Sequence, residues 1–536
     1  MDKEILSIRR MTNTMRINKY NLKWSLIFTY ILGLLAHGFA FLNFQPSNDS
    51  LYEGVLTETE VAWKLGLGRY MIPVYDKIFG VFSYLPWSGG IVALLWISIS
   101  VYFVVEVLGI EKKWQIALIS GIMSTNITII VLVATYGHDL GPDAMALLLA
   151  VFSCWLWRQQ NEYFSARTKL LFGIASSVCL GMMLGLYQAY LCVYVSLVLI
   201  CLMLDLIEKP QKWQWVKAIV SGLIAAIPVI VGGLAYYIGV IVVDKITGLS
   251  LSVGKANSLT NLWNNEEGIY VRVLRTYYQI KGLFMDMPGY VYSDNYIQTI
   301  NKILLLGGFL ALVGLIIKLI KIKSGIMNVL SIIALLMILP FTMNGMRMLN
   351  PLVHDLMIYA CWFVYIIVFL LTREVDKRYK TQCFEKIIGG VLCLVILFNI
   401  QVANSAYTKK NADNEATLSM MTRVVDKIES LEGYKAGTTP VVFIGEPNDY
   451  LKSYVYYGEL ETLTGLNNNS AITYYGTYSN YFKQIMRADI NIIEEDEALE
   501  QVAAAEIDSM NTFPSTGSIA VKNGIVVVKF DEISEE

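Results

Sequence analysis

Residues 115–135 read QIALISGIMSTNITIIVLVAT, a run of 21 residues without a charged side chain. A helix needs about 20 apolar residues to cross the hydrocarbon core of a bilayer. This segment is therefore predicted to span a membrane, and ten further segments of the same kind are expected. They are 24–43, 86–108, 143–158, 169–186, 188–206, 218–243, 302–320, 326–343, 353–371 and 387–404.

The composition indicates the same environment. Hydrophobic residues make up 55% of the 536 residues and charged residues only 16%, with a mean hydropathy of +0.51. Soluble domains carry about 25% charged residues, so this deficit favours a chain surrounded mostly by lipid. The net charge of −2 hides an asymmetry, because the chain from residue 406 onward holds 10 basic and 21 acidic residues, which leaves +9 for the remainder. A basic membrane body followed by an acidic tail is predicted.

The distribution of lysine and arginine predicts the orientation. The basic N-terminus precedes a long apolar run without a small-residue cleavage site, so we expect that run to be retained as the first span. With the N-terminus inside, the inner segments hold 22 lysines and arginines and the outer loops hold nine. The positive-inside rule then places the N-terminus in the cytoplasm. Because eleven spans is an odd number, the acidic tail is expected on the outer side.

These boundaries divide the chain into three regions. A cytoplasmic N-terminus (1–23) precedes the transmembrane domain (24–404), and an extracytoplasmic tail (405–536) follows it. The two largest loops, 44–85 and 244–301, both fall on the outer side, whereas the inner connections are short and basic. Binding and catalytic residues are concentrated on loops, so the chemistry is expected on the outer side.

The tail has the pattern of an α/β domain. A helix is predicted over 413–431, and two short apolar runs, Val441–Ile444 and Ile525–Val528, are typical of buried strands. The second run follows the turn pair Asn523-Gly524. We therefore predict a helical membrane protein with a C-terminal soluble α/β domain.

The first outer loop contains the best candidate for a general base. Asp49 lies close behind the first span, and Arg69 follows about twenty residues later. A carboxylate can accept a proton, and the planar guanidinium of arginine can bind a phosphate. Glu53 of the same loop is a candidate for substrate binding. The alternative is that this acidic loop is only solvated.

A second cluster contains His138 and Asp139 in a short outer loop. A histidine at a membrane surface can bind a phosphate, move a proton or ligate a metal. No HExxH or DxD motif accompanies this pair, so no metal site is expected. His138 and Asp139 are therefore candidate site residues, Asp139 for substrate binding. The alternative is that Asp143 begins a helix and His138 is an ordinary loop residue.

Two further outer segments carry polar candidates. Arg347 is the only cation in its short loop, against the positive-inside trend, which suggests a bound anion. The alternative is that it only caps a helix or snorkels. Tyr187 and Gln188 lie between two spans, where they could contact a sugar or pack the hairpin. The long loop 244–301 is rich in aromatic residues and is expected to form an amphipathic helix at the interface.

Several functions lack their signatures. The sequence has no Walker A motif, no GxSxG and no dinucleotide-binding fingerprint, so neither a cofactor nor a nucleic acid is expected. Most spans have no charged residue near their middle, which disfavours an ion-driven pump. The seven cysteines lie in or beside apolar runs, so we expect no disulfide or metal role for them.

The order and spacing of these features resemble the GtrII family of bacterial membrane glucosyltransferases over nearly the whole chain. Such proteins often have two adjacent acids in the first loop, and here Asn48 occupies the first position, so Asp49 is the matching acid. The residues that carry the resemblance are Asn48-Asp49-Ser50, Gly68-Arg69-Tyr70, Asp143 to Ala150, Tyr187-Gln188, Arg347-Met348-Leu349, Pro440 to Gly445, Phe513 to Ile519 and Ile525 to Lys529.

The resemblance implies a GT-C-type fold in the plasma membrane of a bacterium. It also implies an inverting transfer of a sugar, with glucose expected, from a polyprenyl-phosphate carrier to a cell-surface polysaccharide or related glycan. Asp49 would then be the general base, and Arg69, Arg347 and His138 would bind the donor phosphate. The alternatives are a lipid-linked sugar flippase or exporter, and a surface-glycan polymerase.

Overall fold

The computed structural model describes most of the chain. The described residues are 17–53, 58–160, 165–248, 267–285, 295–322, 325–350, 353–447, 450–451, 460, 463, 465–473 and 475–531. The helices of the membrane body are α1 (Lys19–Leu42), α2 (Asn48–Glu53), α3 (Glu58–Gly66), α4 (Met71–Tyr84), α5 (Pro86–Val107), α6 (Lys113–Thr125), α7 (Ile127–Thr135), α8 (Leu140–Arg158), α9 (Ala166–Leu186), α10 (Leu191–Glu208), α11 (Gln214–Thr247), α12 (Ile269–Met285), α13 (Asn295–Lys321), α14 (Ile326–Met343), α15 (Phe363–Tyr379) and α16 (Phe384–Glu429).

Ten helical segments within the described residues are long and apolar enough to cross a membrane. They coincide with ten of the eleven predicted spans, and the prediction of a polytopic helical membrane protein is confirmed. The exception is 353–371, where two short 3₁₀ turns, Asp355–Met357 and Tyr359–Trp362, precede α15. That helix has 17 residues, which gives it a length of about 26 Å against a hydrocarbon core of about 30 Å.

The 3₁₀ turns pack against a break in the predicted span 115–135. Asn126 separates α6 from α7, and its side chain accepts a hydrogen bond from Ile129 N and donates one to Ile122 O. Next to this break, Trp362 Nε1 donates to Thr128 Oγ1 at 3.0 Å, and Thr128 Oγ1 donates to Asp355 O at 2.8 Å. The two irregular segments are therefore joined by hydrogen bonds inside the protein, away from lipid.

Contacts between helix ends show which ends lie together. At the beginning of α1, Asn21 Nδ2 donates to Glu106 Oε1 at 2.7 Å. Lys112 pairs with Glu385 at 2.5 Å, and Arg373 Nη1 donates to Leu108 O at 3.1 Å. The end of α15 and the beginning of α16 therefore return to the end of the bundle where α1 begins. The short helix α15, together with the 3₁₀ turns before it, therefore runs between the two ends of the bundle.

The last helix joins the membrane body to the tail. The predicted span 387–404 and the predicted tail helix 413–431 belong to one 46-residue helix, α16. Such a helix is about 69 Å long, more than twice the thickness of the hydrocarbon core. The predicted boundary between residues 404 and 405 lies inside this helix, so a continuous helix connects the membrane body to the tail.

The tail forms a small α/β domain. Its elements are β1 (Pro440–Ile444), α17 (Tyr475–Tyr481), β2 (Asn491–Ile492), α18 (Glu495–Leu499), α19 (Ala504–Asp508), β3 (Ile519–Lys522) and β4 (Ile525–Lys529). The sheet order is β2-β1-β4-β3, with β1 parallel to β2 and β4, and β3 antiparallel to β4. Both predicted strands are confirmed. Asn523 and Gly524 have positive φ angles of 49° and 82°, as the tight hairpin between β3 and β4 requires.

Candidate active site

A recess lies at the end of the bundle from which the tail emerges. It is bounded by the end of α1, the loop that follows it, and the segment from the end of α7 to the beginning of α8. The residues that line it are Ala40, Phe41, Asn43, Phe44, Gln45, Ser47, Ser50, Pro86, Val133, Ala134, Thr135, Gly137, His138 and Leu140. Its wall is thus apolar on the membrane side and polar at the loops, which suits an amphipathic ligand.

Asp49 lies in α2, next to the two serines of the recess. Ser47 anchors this helix, because its hydroxyl donates to Thr135 O at 2.5 Å and accepts a hydrogen bond from Ser50 N at 3.1 Å. The Asp49 side chain is half-buried and interacts electrostatically with Lys410 of α16. Asp49 is therefore held at the rim of the recess on a short helix fastened to the end of α7. The Glu53 side chain lies outside the described part of the structure.

On the other side of His138 lies a buried ion pair. Lys64 Nζ is 2.5 Å from Asp139 Oδ2, and His138 Nε2 is 3.8 Å from the same oxygen. Burial by itself raises the pKa of Asp139, but the Lys64 ammonium, His138 and Arg69 outweigh it and hold that pKa at about 2. Asp139 is thus ionised at neutral pH. It balances part of the positive charge that the cations bring to this site.

Arg69 is placed by a turn and by an aromatic ring. Gly68 has a φ of +73°, which glycine adopts without strain, and Arg69 N donates to Lys64 O at 2.9 Å. The Arg69 guanidinium then lies 4.5 Å from the centre of the Tyr187 ring, within the range of a cation–π interaction. Burial raises the pKa of Tyr187, so the ring stays neutral beneath the guanidinium.

Gln188 fixes the same turn from the next residue. Its Nε2 donates to Leu67 O at 3.2 Å and to the Tyr236 hydroxyl at 3.1 Å. The predicted residues Arg69, His138, Asp139, Tyr187 and Gln188 are therefore brought into one cluster, although they come from three separate loops. The Nε2 group of Gln188 is committed to protein contacts, which makes it a support for the turn that carries Arg69.

Two residues of this cluster, Lys64 and Asp143, are absent from the candidates that the sequence suggests. Lys64 is one of the few cations of the outer loops, as Arg69 is, and that signal could have found it. Asp143 is buried one helical turn after Asp139, where it interacts electrostatically with Asp139, Arg69 and Lys64. An acid at the start of a span is typical of a helix terminus, and only the folded arrangement reveals the charged neighbours of Asp143.

Arg347 belongs to a different cluster. Its Nη2 lies 3.0 Å from Glu267 Oε2, and Arg275 pairs with the same carboxylate. Arg272 is buried nearby and donates from Nη1 to Met348 O at 2.6 Å. These contacts dock the amphipathic helix α12 onto the 3₁₀ turn that carries Arg347. The structure thus groups Arg347 with the cations of α12, and Arg69 with Lys64 and His138.

The opposite face of α12 is apolar and exposed. Tyr270, Leu274 and Tyr278 are 74%, 39% and 68% exposed, as is typical of a helix that lies in a membrane interface. The aromatic residues that the long loop has at positions 249–266 and 286–294 lie outside the described residues. Within the described residues, no group of three or more His, Cys, Asp and Glu side chains could hold a metal ion.

The fold and site together define a multi-pass membrane protein with a half-apolar recess, an acid at its rim and a cation cluster on the far side of His138. Residues 38–369 match the family described as Glucosyl transferase GtrII. This match covers more than half of the chain, and the chain belongs to the GtrII glucosyltransferase family. Comparisons with curated proteins and with solved structures give no match.

The family assigns the class of reaction. The protein is a multi-pass membrane glycosyltransferase, which uses a sugar donor and a glycan acceptor. The matched residues include Asp49, the whole Arg69 cluster and Arg347. They end inside α15, so α16 and the tail lie outside the matched residues.

Proposed function

We propose that this protein transfers glucose from a polyprenyl-phosphate carrier to a cell-surface polysaccharide or related glycan at the outer face of the bacterial plasma membrane. The observation that carries the proposal is the shape and lining of the recess. Asp49 lies at one rim, and His138 lines the wall and contacts Asp139, which interacts with Lys64 and Arg69. A base and a set of phosphate-binding groups are thus separated by one cavity.

Asp49 is proposed to act as the general base. The acceptor hydroxyl loses its proton to the Asp49 carboxylate while its oxygen attacks the anomeric carbon of the donor. The bond between that carbon and the phosphate oxygen breaks, and the polyprenyl phosphate leaves from the opposite face, so the configuration inverts. General-base catalysis of this kind accounts for about 10²–10⁴ of the rate.

The leaving group gains negative charge as the bond breaks, and the Arg69 cluster is proposed to stabilise that charge. Cations fixed in a site that excludes water lower the barrier most, because they need not reorganise during the reaction. Arg69 is a stronger candidate than Lys64 for this role, because Tyr187 holds its guanidinium in place. Lys64 is shared with Asp139, which favours a weaker and more adjustable contact.

The donor's lipid tail needs a path into the bilayer. The apolar wall of the recess, which includes Phe41, Pro86 and Val133, lies at the ends of three spans. The distribution of lysine and arginine between the two sides predicts that this end of the bundle faces the outside. We propose that the lipid tail follows that wall and that Arg347, with the exposed face of α12, guides the donor along the interface.

Replacing each of three acids tests the assignment of the base. Asp49→Asn is expected to lower kcat by about 10²–10⁴, whereas Asp139→Asn should chiefly raise the KM for the donor, because it disturbs Lys64 and His138. Both variants and Asp143→Asn would be assayed in vesicles that contain polyprenyl-phosphate glucose and the glycan. Near-normal turnover by Asp49→Asn, with loss in Asp139→Asn or Asp143→Asn, would move the base to the buried cluster.

A further inference from the structure

The loop helix that carries Asp49 is part of the hydrophobic core of the tail. Leu51, two residues after Asp49, is fully buried in the same apolar cluster as Met420, Tyr478 and Tyr481. The contact is direct, because α2 packs against α17. A side chain from the first outer loop thus completes a domain that begins more than 350 residues later in the sequence.

Two consecutive lysines of α16 make a second connection. Lys409 is fully buried and binds Asp413 at 2.7 Å and Asn469 Oδ1 at 3.4 Å, so it points to the tail. Lys410 points to the membrane body, where its ammonium donates to Ala134 O and interacts electrostatically with Asp49. Neighbouring residues of a helix point about 100° apart, which lets α16 hold the tail and the Asp49 loop at the same time.

A third contact joins the tail to Thr135, the residue to which the Asp49 loop is anchored. Gly465 of the tail has a φ of +77°, and a Cβ atom there would overlap with the Thr135 side chain. Thr135 O is the acceptor for the Ser47 hydroxyl. The tail therefore touches the Asp49 loop directly through Leu51 and also touches its anchor on α7.

We infer that the tail positions Asp49: Leu51 and Lys410 are positioning residues that hold the loop over the recess. This inference rests on the proposed function, in which Asp49 is the base. The tail lies outside residues 38–369, which match the family, whereas Asp49 and Leu51 lie within them. Precise placement matters because a displacement of about 1 Å can lower the rate about 10²-fold.

Leu51→Ala tests the inference, with Ile507→Ala as its matched control. Ile507 is also fully buried, but it belongs to the separate apolar cluster of the tail that includes Val442 and Ile444. Both substitutions remove a similar volume from the tail. Leu51→Ala is expected to lower kcat about 10- to 100-fold with little change in the KM for the donor, whereas Ile507→Ala should retain kcat. Leu51→Met should restore most of the activity.

Hydrogen exchange gives a readout that does not depend on turnover. In the full-length protein, Leu51→Ala should speed exchange of the amides of residues 47–51, and Ile507→Ala should leave them protected. Unchanged exchange in Leu51→Ala, or equal losses of kcat in the two variants, would overturn the inference. Failure of the proposed function would look different: wild-type protein would transfer no glucose, or Asp49→Asn would stay active, while the exchange pattern still reported the coupling of loop and tail.

Two substitutions test the role of Lys410 in placing Asp49, one that removes its charge and one that retains it. Lys410→Met removes the ammonium that faces Asp49 and is expected to lower kcat about tenfold or more, while Lys410→Arg should recover part of that loss. Equal activity of Lys410→Met and wild type would show that the ammonium has no part in placing Asp49.

Discussion

Arg69 is the residue that ties the cation cluster to its proposed ligand. Its position depends on the ring of Tyr187 as well as on its own charge. Lysine keeps the charge but lacks the planar group that stacks on an aromatic ring and binds two phosphate oxygens at once. The side chain should therefore be sensitive even to a conservative replacement.

Arg69→Lys is expected to raise the KM for the lipid-linked donor about tenfold, the effect of losing roughly 1.4 kcal/mol of binding, with the KM for the acceptor nearly unchanged. Tyr187→Phe is the matched control, because it retains the ring and removes only the hydroxyl. Initial rates measured against each substrate in turn would check this. A larger effect on the acceptor than on the donor would argue against a phosphate-binding role.

The buried pair of Lys64 and Asp139 should matter for stability. Their side chains are 3% and 8% exposed, and removing one partner of such a pair leaves an uncompensated charge at a cost of about 3–5 kcal/mol. Lys64→Met should therefore lower the midpoint of thermal unfolding in detergent, and Lys64→Met combined with Asp139→Leu should recover part of it.

The pair also predicts a dependence on pH. Since the folded-state pKa of Asp139 is depressed from 3.8 to about 2, its contribution to stability is present above about pH 4 and is lost as the pH falls through about 2. An acid-induced loss of stability that is the same in wild type and Lys64→Met would contradict this account.

The sequence identifies residues of this site when they depart from a general trend in charge or composition. Arg69 and Arg347 stand out as cations in outer loops, and His138 is one of three histidines. The pattern cannot show which of them meet, because that depends on how the loops fold over the ends of the spans. Arg69 thus joins His138, while Arg347 joins Glu267 in a separate cluster.

Among the elements, α12 is the one whose docking involves a predicted site residue. Arg347 and Glu267 connect this interfacial helix to the 3₁₀ turn after α14. If the helix guides the lipid-linked donor, loosening it should affect the donor more than the glycan.

Arg347→Ala is expected to raise the KM for the donor several-fold and to leave the KM for the acceptor nearly constant. Arg275→Ala, which removes the more exposed partner of Glu267, is the control and should have a smaller effect. Steady-state rates with each substrate varied separately provide the measurement. Equal losses for both substrates would instead indicate a general role in folding.

Apolar length predicts most of the spans because each must bury its backbone hydrogen bonds within lipid. It does not predict the break at Asn126 or the 3₁₀ turns before α15, because those segments satisfy their polar groups through contacts with each other. Nor does it show that α16 continues past the membrane, since the polarity after residue 404 is equally typical of a loop. Tertiary contacts decide all three.

At the scale of the whole molecule, the contacts between helix ends show at which end of the bundle the tail lies. The beginning of α16 lies next to Lys112, and its later turns lie beside the recess, where Tyr407 bonds to His37. The tail and the recess therefore share one end of the bundle. This arrangement brings Asp49, the cation cluster and Leu51 together, and no single segment of the sequence indicates it.

The transfer of glucose from a lipid carrier is tested most directly by mass analysis of the glycan acceptor. Purified protein in vesicles would be incubated with polyprenyl-phosphate glucose and the acceptor, with Asp49→Asn as the control. The glycan is expected to gain the mass of a single hexose only when active protein and donor are both present. Movement of the donor across the membrane without that mass increase, or the joining of whole repeat units, would contradict the account and identify a flippase or a polymerase.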